Sequence, residues 1–198
     1  MKKIIYIIRT ASFFVLEFVR SLFSGLRLRE IPLVSSVYNF LFSRLKPDFI
    51  EFEGSKIYLD PLDVLLLYRN KGHESFITEI FKEKIKEGDV VLDLGAHIGY
   101  YTMLAARLVG PYGKVFAFEP DPTNFSLLRK SSVANGYDNI TLEQRGVADT
   151  EGIAKFFLYS STENSIAPEL YLGSEHTPFV EILLVGIDEY FNNANLKV

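Results

Sequence analysis

The chain contains no cysteine. That excludes a disulfide framework, a thiolate metal site and a cysteine nucleophile, and it fits a reducing compartment. Histidine is scarce. His73, His97 and His176 lie too far apart in sequence to suggest a zinc site. A clean apolar run is also missing. The most apolar stretch, KKIIYIIRTASFFVLEFVRSLFSGLRLR at residues 2–29, is interrupted by Arg9, Glu17 and Arg20. A spanning helix needs about 20 apolar residues with few charges. A signal peptide needs an unbroken apolar centre and a small-residue cleavage site, and Arg9 splits that centre. There is no internal repeat and no low-complexity tract.

What is present is ordinary for a folded protein. The 198 residues are enough for one domain with an appendage, and 48% hydrophobic with 23% charged residues argues against disorder. The net charge of −4 conceals two regimes. Residues 1–47 carry eight Lys/Arg against two acids, a balance of +6, and the remainder carries 13 against 23, a balance of −10. An acidic body is a poor partner for nucleic acid, whose phosphates need a basic face. The basic, apolar extension has two readings. One is an accessory helix packed on the domain or on a second copy. The other is an amphipathic helix lying on an anionic membrane surface. Pro32 and Pro47 bound a second apolar stretch that reads as another short helix. Residues 1–47 are therefore expected to be a helical extension, and residues 48–198 the domain. The expected location is cytoplasmic, free or peripheral on the inner membrane face.

FIEFEGSKIYL alternates around Gly54-Ser55 and predicts a hairpin. Ser75–Lys86 predicts a helix with Phe76, Ile77, Ile80, Phe81 and Ile85 on its apolar face and Gly88 as its cap. Three strand signals then alternate with helical ones. VVLDL (90–94) reads as a strand covered on both faces. A helix from Tyr100 to Leu108 follows, then KVFAFEP (114–120). Asp121 caps a further helix that has Pro122 at its first position and ends near Asn135-Gly136. NITLEQRGVAD (139–149) supplies the third strand. This order predicts an α/β fold with a parallel sheet. IAKFFLY and FVEILLV read as a strand pair joined by a long polar loop. Tyr100, Tyr101 and Tyr112 read as packing residues.

The stretch VVLDLGAHIGYYT carries the chemistry. Ligands of open parallel sheets bind beyond the carboxyl ends of the strands. There Gly95 lets backbone approach a ligand, Gly99 permits close contact beside the next helix, and that helix presents its N-terminus. Asp93 adds negative charge. A carboxylate serves a pyrophosphate badly and an ammonium or sulfonium well. Glu119, at the end of the second strand, suits a pair of ribose hydroxyls. A ribose beside a cationic, amino-acid-like tail describes S-adenosylmethionine. A nicotinamide cofactor prefers G-x-G-x-x-G, whereas the spacing here is G-x-x-x-G. A nicotinamide-dependent oxidoreductase and a non-catalytic, membrane-associated remnant are the alternatives. His97 reads as a turn residue whose backbone matters.

The run GDVVLDLGAHIGYYTMLAARLVGPYGKVFAFEPDPTNFSLLRKSSVANGYDNITLEQRGVADTEG closely resembles the FkbM family of S-adenosylmethionine-dependent methyltransferases. The resemblance extends over about residues 60–190. It implies a Rossmann-like class I methyltransferase sheet and methyl transfer to a hydroxyl of a sugar, glycolipid or secondary metabolite. It implies that Asp93, Gly95, Ala96 and Gly99 hold the methionine part, with His97 in the same turn. Glu119 matches the ribose acid, Pro120 and Asp121 lie beside the adenine, and Val147 edges the adenine pocket. Glu74 matches a family glutamate, although its neighbours His73 and Ser75 depart from the family pattern. STENS (161–165) falls where the family has a polar loop near the substrate.

VGIDEYFNNANLKV resembles the helix that leads into the fourth core strand. The family motif expected next is absent, so the resemblance implies an incomplete sheet with its C-terminal core strands missing. On that expectation a sheet edge is left uncovered, and a missing C-terminal half or self-association would complete the fold. No convincing general base is visible, and the expected base lies beyond residue 198.

Overall fold

The structure, a computed structural model, describes residues 11–16, 18, 19, 21, 31–61, 67, 75–157 and 178–193. Residues 11–16 are helical, and helix α1 spans Pro32–Leu45, with proline in its first turn as the sequence predicts. The hairpin β1 (Phe49–Phe52) and β2 (Ser55–Tyr58) follows, then α2 (Ser75–Lys84). The central run is β3 (Val90–Leu94), α3 (Tyr100–Val109), β4 (Lys114–Phe118), α4 (Pro122–Asn135) and β5 (Ile140–Glu143). The chain continues through β6 (Gly146–Ala148), β7 (Gly152–Phe157), β8 (Phe179–Gly186) and α5 (Ile187–Asn193). Among the described residues no helix is long and apolar enough to cross a membrane.

Strands β3, β4 and β5 form a parallel sheet in that order, with Asp93 level with Ala117 and Leu94 level with Phe118. Alternation along β4 divides the core. Val115 joins Ala105, Ala106 and Val109 of α3, and Ala117 joins Tyr100, Met103 and Leu128 of α3 and α4. Phe116 and Phe118 face the other way, into a cluster with Val185 and Phe191. One strand therefore forms a wall of two hydrophobic cores, which accounts for its nearly unbroken apolar sequence.

Helix α4 begins as its sequence dictates. The Asp121 carboxylate accepts hydrogen bonds from the Thr123 and Asn124 N–H groups at 2.7 and 2.9 Å, and Pro122 occupies the first turn. Its last residue has a second task. Asn135 accepts from the Lys56 N–H and donates to the Lys56 carbonyl, both at 2.8 Å, so one side-chain amide pairs with β2 as a neighbouring strand would. Ser131 adds an acceptor for the Tyr58 N–H at 3.0 Å. Removing the amide strands two backbone groups at once. Asn135→Ala is expected to lose about 1–3 kcal/mol in urea unfolding, with the hairpin losing hydrogen-exchange protection first.

Several sequence expectations need correction. The hairpin turn is Glu53-Gly54, one residue earlier than read, because Phe52 pairs with Ser55. Both turn residues have positive φ, as a two-residue type I′ hairpin turn requires. Helix α2 ends at Lys84, so Gly88 lies in the turn before β3 and is not its cap. Phe76 is exposed, off the face that Ile77, Ile80 and Phe81 partly bury. Tyr112 is 83% exposed and does not pack, whereas Tyr100 stacks on Phe52 and Tyr101 lies against Phe81. The third strand is two strands. After Gln144 and Arg145 the chain leaves β4, and β6 pairs with β8 in a second sheet of order β6-β8-β7. Finally, β3 is not covered throughout. Among the described residues it pairs only with β4, and Val90 and Leu94 are exposed.

Candidate functional site

The level register of β3 and β4 brings their following turns side by side. The Phe118 carbonyl accepts from both the Gly95 and Ala96 N–H groups at 2.9 Å. That pair of hydrogen bonds to one oxygen ties the glycine turn to the end of β4. Glu119 completes the junction. Its Oε2 accepts from the His97 N–H at 2.7 Å, its Oε1 accepts from the Asp121 N–H at 2.8 Å, and its own N–H donates to the Glu143 carbonyl at 3.0 Å. Each carboxylate oxygen has one backbone donor and retains a lone pair for another.

Glu119 is buried, and burial pushes its pKa up from 4.5 to about 7. The two backbone N–H groups pull it back, while the nearby charges of Asp121 and Asp93 push it further up. Asp93 is raised as well, chiefly by burial, against the hydrogen bond that Thr102 donates to its Oδ2. Three carboxylates thus gather where β3 and β4 end. Their mutual repulsion favours a cationic or hydrogen-bond-donating ligand.

The two glycines have different surroundings. Gly95 has φ +81°, and a Cβ built on it would meet nothing within 4 Å. The space before it is open. Gly99, the residue before α3, has φ +91°, and a Cβ there would lie 2.5 Å from Leu128 Cδ1. The close contact is therefore with α4 as well as with α3, which the sequence did not reveal. His97 also has positive φ (51°), and its backbone N–H is what reaches Glu119.

The structure thus brings together Asp93, Gly95, Ala96, His97, Gly99, Glu119, Pro120 and Asp121 in two adjacent turns and the strand ends that feed them. Val147 packs against the cluster of Phe116, Phe118, Val185 and Phe191. Glu74 and residues 161–165 lie outside the described residues. Thr102, the partner of Asp93, was not singled out in the sequence. A threonine in the first turn of an apolar helix was its only signal. A separate open cavity lies at the other ends of β4 and β5, lined by Arg107, Tyr112, Lys114, Tyr137 and Asn139, away from these turns.

Residues 93–197, just over half of the chain, match the family model described as the Methyltransferase FkbM domain. The chain belongs to this family. The FkbM match begins at Asp93, the carboxylate of the glycine turn. The 31-O-demethyl-FK506 methyltransferase FkbM of Streptomyces tacrolimicus is 33% identical over 108 residues, covering 50% of this chain and 41% of that protein. The protein-L-isoaspartate O-methyltransferase of Ignicoccus hospitalis is 37% identical over 59 residues, covering 30% of this chain and 28% of its own. The chain spans less than half the length of these curated relatives. Among solved structures, a putative rRNA-methylase from Clostridium thermocellum is similar at 30% identity and TM-score 0.36, covering 36% of this chain and 41% of that one. TYW2 of M. jannaschii in complex with AdoMet is similar at 24% identity and TM-score 0.41, covering 48% and 41%.

The cofactor of FkbM methyltransferases is S-adenosylmethionine. The residues present fit it. The space before Gly95 is open, so main chain can approach a ligand there, the acidic surroundings suit a sulfonium and an ammonium, and Glu119 has acceptor capacity for two hydroxyls.

Proposed function

We propose that this domain binds S-adenosylmethionine beyond the carboxyl ends of β3 and β4 and serves methyl transfer to a hydroxyl oxygen. The acceptor class that the family resemblance favours is a sugar, glycolipid or secondary metabolite. The basic segment at residues 1–47 favours an acceptor met at an anionic membrane surface. The observation that carries the reading is the Glu119 carboxylate, held by the His97 and Asp121 N–H groups against an open glycine turn.

In this reading Glu119 holds the ribose, and the turn from Asp93 to Gly99 holds the methionine portion. Thr102 orients Asp93, and the Asp121 cap keeps its own N–H aimed at Glu119. The bound cofactor supplies a methyl group already activated on a sulfonium. The chain's contribution is alignment, which converts a bimolecular displacement into a positioned one. A hydroxyl acceptor must also lose a proton to a base.

The raised pKa of Glu119 makes the reading testable. Ribose hydroxyls donate to the ionised carboxylate, so binding favours ionisation and releases a proton. Affinity for S-adenosylhomocysteine is therefore expected to rise about tenfold between roughly pH 6 and pH 8, then level off. Calorimetry in buffers of differing ionisation enthalpy should show the proton leaving near pH 7. Stability of the ligand-free protein runs the opposite way. The neutral carboxyl is favoured by folding, so this contribution is intact below pH 4.5 and is lost as pH rises towards about 7, a change of roughly 3 kcal/mol. A flat binding profile, or preference for a nicotinamide cofactor, would reject the proposal.

A further inference from the structure

We infer that the two N-terminal helical segments form a joint docking surface for an anionic lipid bilayer, seated by apolar side chains that the protein leaves uncovered. The segments pack on each other through Phe13, buried and 5.3 Å from the ring of Phe42, with Tyr38 beside it. That contact uses one side of each helix. On the first segment, Phe14, whose ring meets that of Phe13 edge-on at 6.5 Å, and Phe18 are 63% and 64% exposed. On α1, Leu33, Val37 and Phe40 are 73%, 51% and 60% exposed. Their spacing of four and three residues places these three on one stripe, opposite Phe42. A soluble helix pair would turn its apolar sides inward. Here the seam takes Phe13 and Phe42, and the larger apolar stripes remain in solvent.

Charge selects the occupant. Residues 1–47 carry a balance of +6, so a second copy docking on this surface would set two cationic segments against each other. An anionic bilayer is attracted instead. The remainder, at −10, is repelled by the same surface, which fixes the extension as the side that approaches. Arg44 fits the arrangement. It is exposed, and its guanidinium lies 5.5 Å from the Phe40 ring centroid, so its charge can reach headgroups while the ring enters the acyl boundary. No helix needs to span the bilayer. The inference deepens the membrane-surface part of the proposed function and rests on it there, but it does not require cofactor binding.

The full chain is to be sedimented with vesicles of phosphatidylcholine containing about a third phosphatidylglycerol, and with phosphatidylcholine alone. Binding to the anionic vesicles is expected, weakening with salt. The triple variant Phe18→Ser, Leu33→Ser, Phe40→Ser is expected to bind at least about tenfold more weakly at an unchanged Tm, since these side chains are exposed. The chain has no tryptophan, so Phe40→Trp gives a single indole that can be excited selectively at wavelengths the tyrosines do not absorb. Its emission is expected to shift to the blue on adding anionic vesicles. Absence of vesicle binding by the wild type, equal binding by the triple variant, or unshifted Phe40→Trp emission would each overturn the inference. So would a dimer that the triple variant dissociates in the absence of lipid. Calorimetry with S-adenosylhomocysteine on the same samples reads the cofactor site separately, so failure of one proposal is distinguishable from failure of the other.

Discussion

Glu119→Ala is expected to weaken S-adenosylhomocysteine binding by roughly ten- to hundredfold. A hydrogen bond to a charged group contributes about 1.5–3 kcal/mol, and one such bond lost falls within that range of affinity. Glu119 offers two oxygens, each already oriented by a backbone N–H at 2.7 or 2.8 Å, so little ordering is needed when hydroxyls arrive. The pH dependence should disappear with the carboxylate. Asp121→Ala is the informative control. It removes the helix cap, at about 1 kcal/mol of stability, yet leaves in place the main-chain N–H that holds Glu119. Its affinity should change far less. Equal loss in both variants would indicate local disorder and not ribose recognition, and unchanged affinity in Glu119→Ala would remove the basis of the assignment. Calorimetry on the three proteins at about pH 8 reads both outcomes.

Gly99→Ala is expected to have the largest effect on folding, about 2–6 kcal/mol in urea unfolding. Two penalties combine. A Cβ at φ +91° is conformationally strained, at about 1–3 kcal/mol. The same Cβ would sit 2.5 Å from Leu128 Cδ1, and Leu128 is fully buried between Tyr100, Met103 and Ala117, so overpacking adds about 1–3 kcal/mol. Gly95→Ala separates the functions of the two glycines. Its Cβ points into open space, so the stability loss should be limited to strain, while ligand binding suffers directly. Should Gly99→Ala unfold no earlier than Gly95→Ala, the packing account of this turn fails.

Much of this was legible in the sequence for definite reasons. The β3–α3–β4–α4–β5 succession follows from apolar runs of strand length separated by helical periods. The start of α4 is written out in Asp121 and Pro122, because capping depends on adjacent residues alone. The positions of Asp93, Gly95 and Glu119 at strand ends follow from where those apolar runs stop. What escaped depends on contacts distant in sequence. Nothing near Gly99 announces Leu128, and nothing near Lys56 announces Asn135. The division of residues 139–149 into β5 and β6 is set by a partner, β8, that lies more than 30 residues onward. Helical periodicity places Phe76 on the apolar face of α2, and Tyr112 reads as a packing residue, but burial is decided by what tertiary structure brings opposite them. The sequence places Asp93 facing a ligand. Its hydrogen bond to Thr102 shows that it also anchors the start of α3.

Phe118 links parts of the molecule that are otherwise distinct. Its ring lies 5.3 Å from that of Tyr190 in α5, and its carbonyl holds Gly95 and Ala96. Tyr190 also donates to Glu143 at 2.9 Å, whose carbonyl in turn receives the Glu119 N–H. The underside of the sheet therefore braces the mouth above it along two routes, one through an aromatic ring and one through a phenol and a peptide. If the proposed reading holds, loosening α5 would weaken the hold on the ribose from beneath, through Phe118 and Glu143.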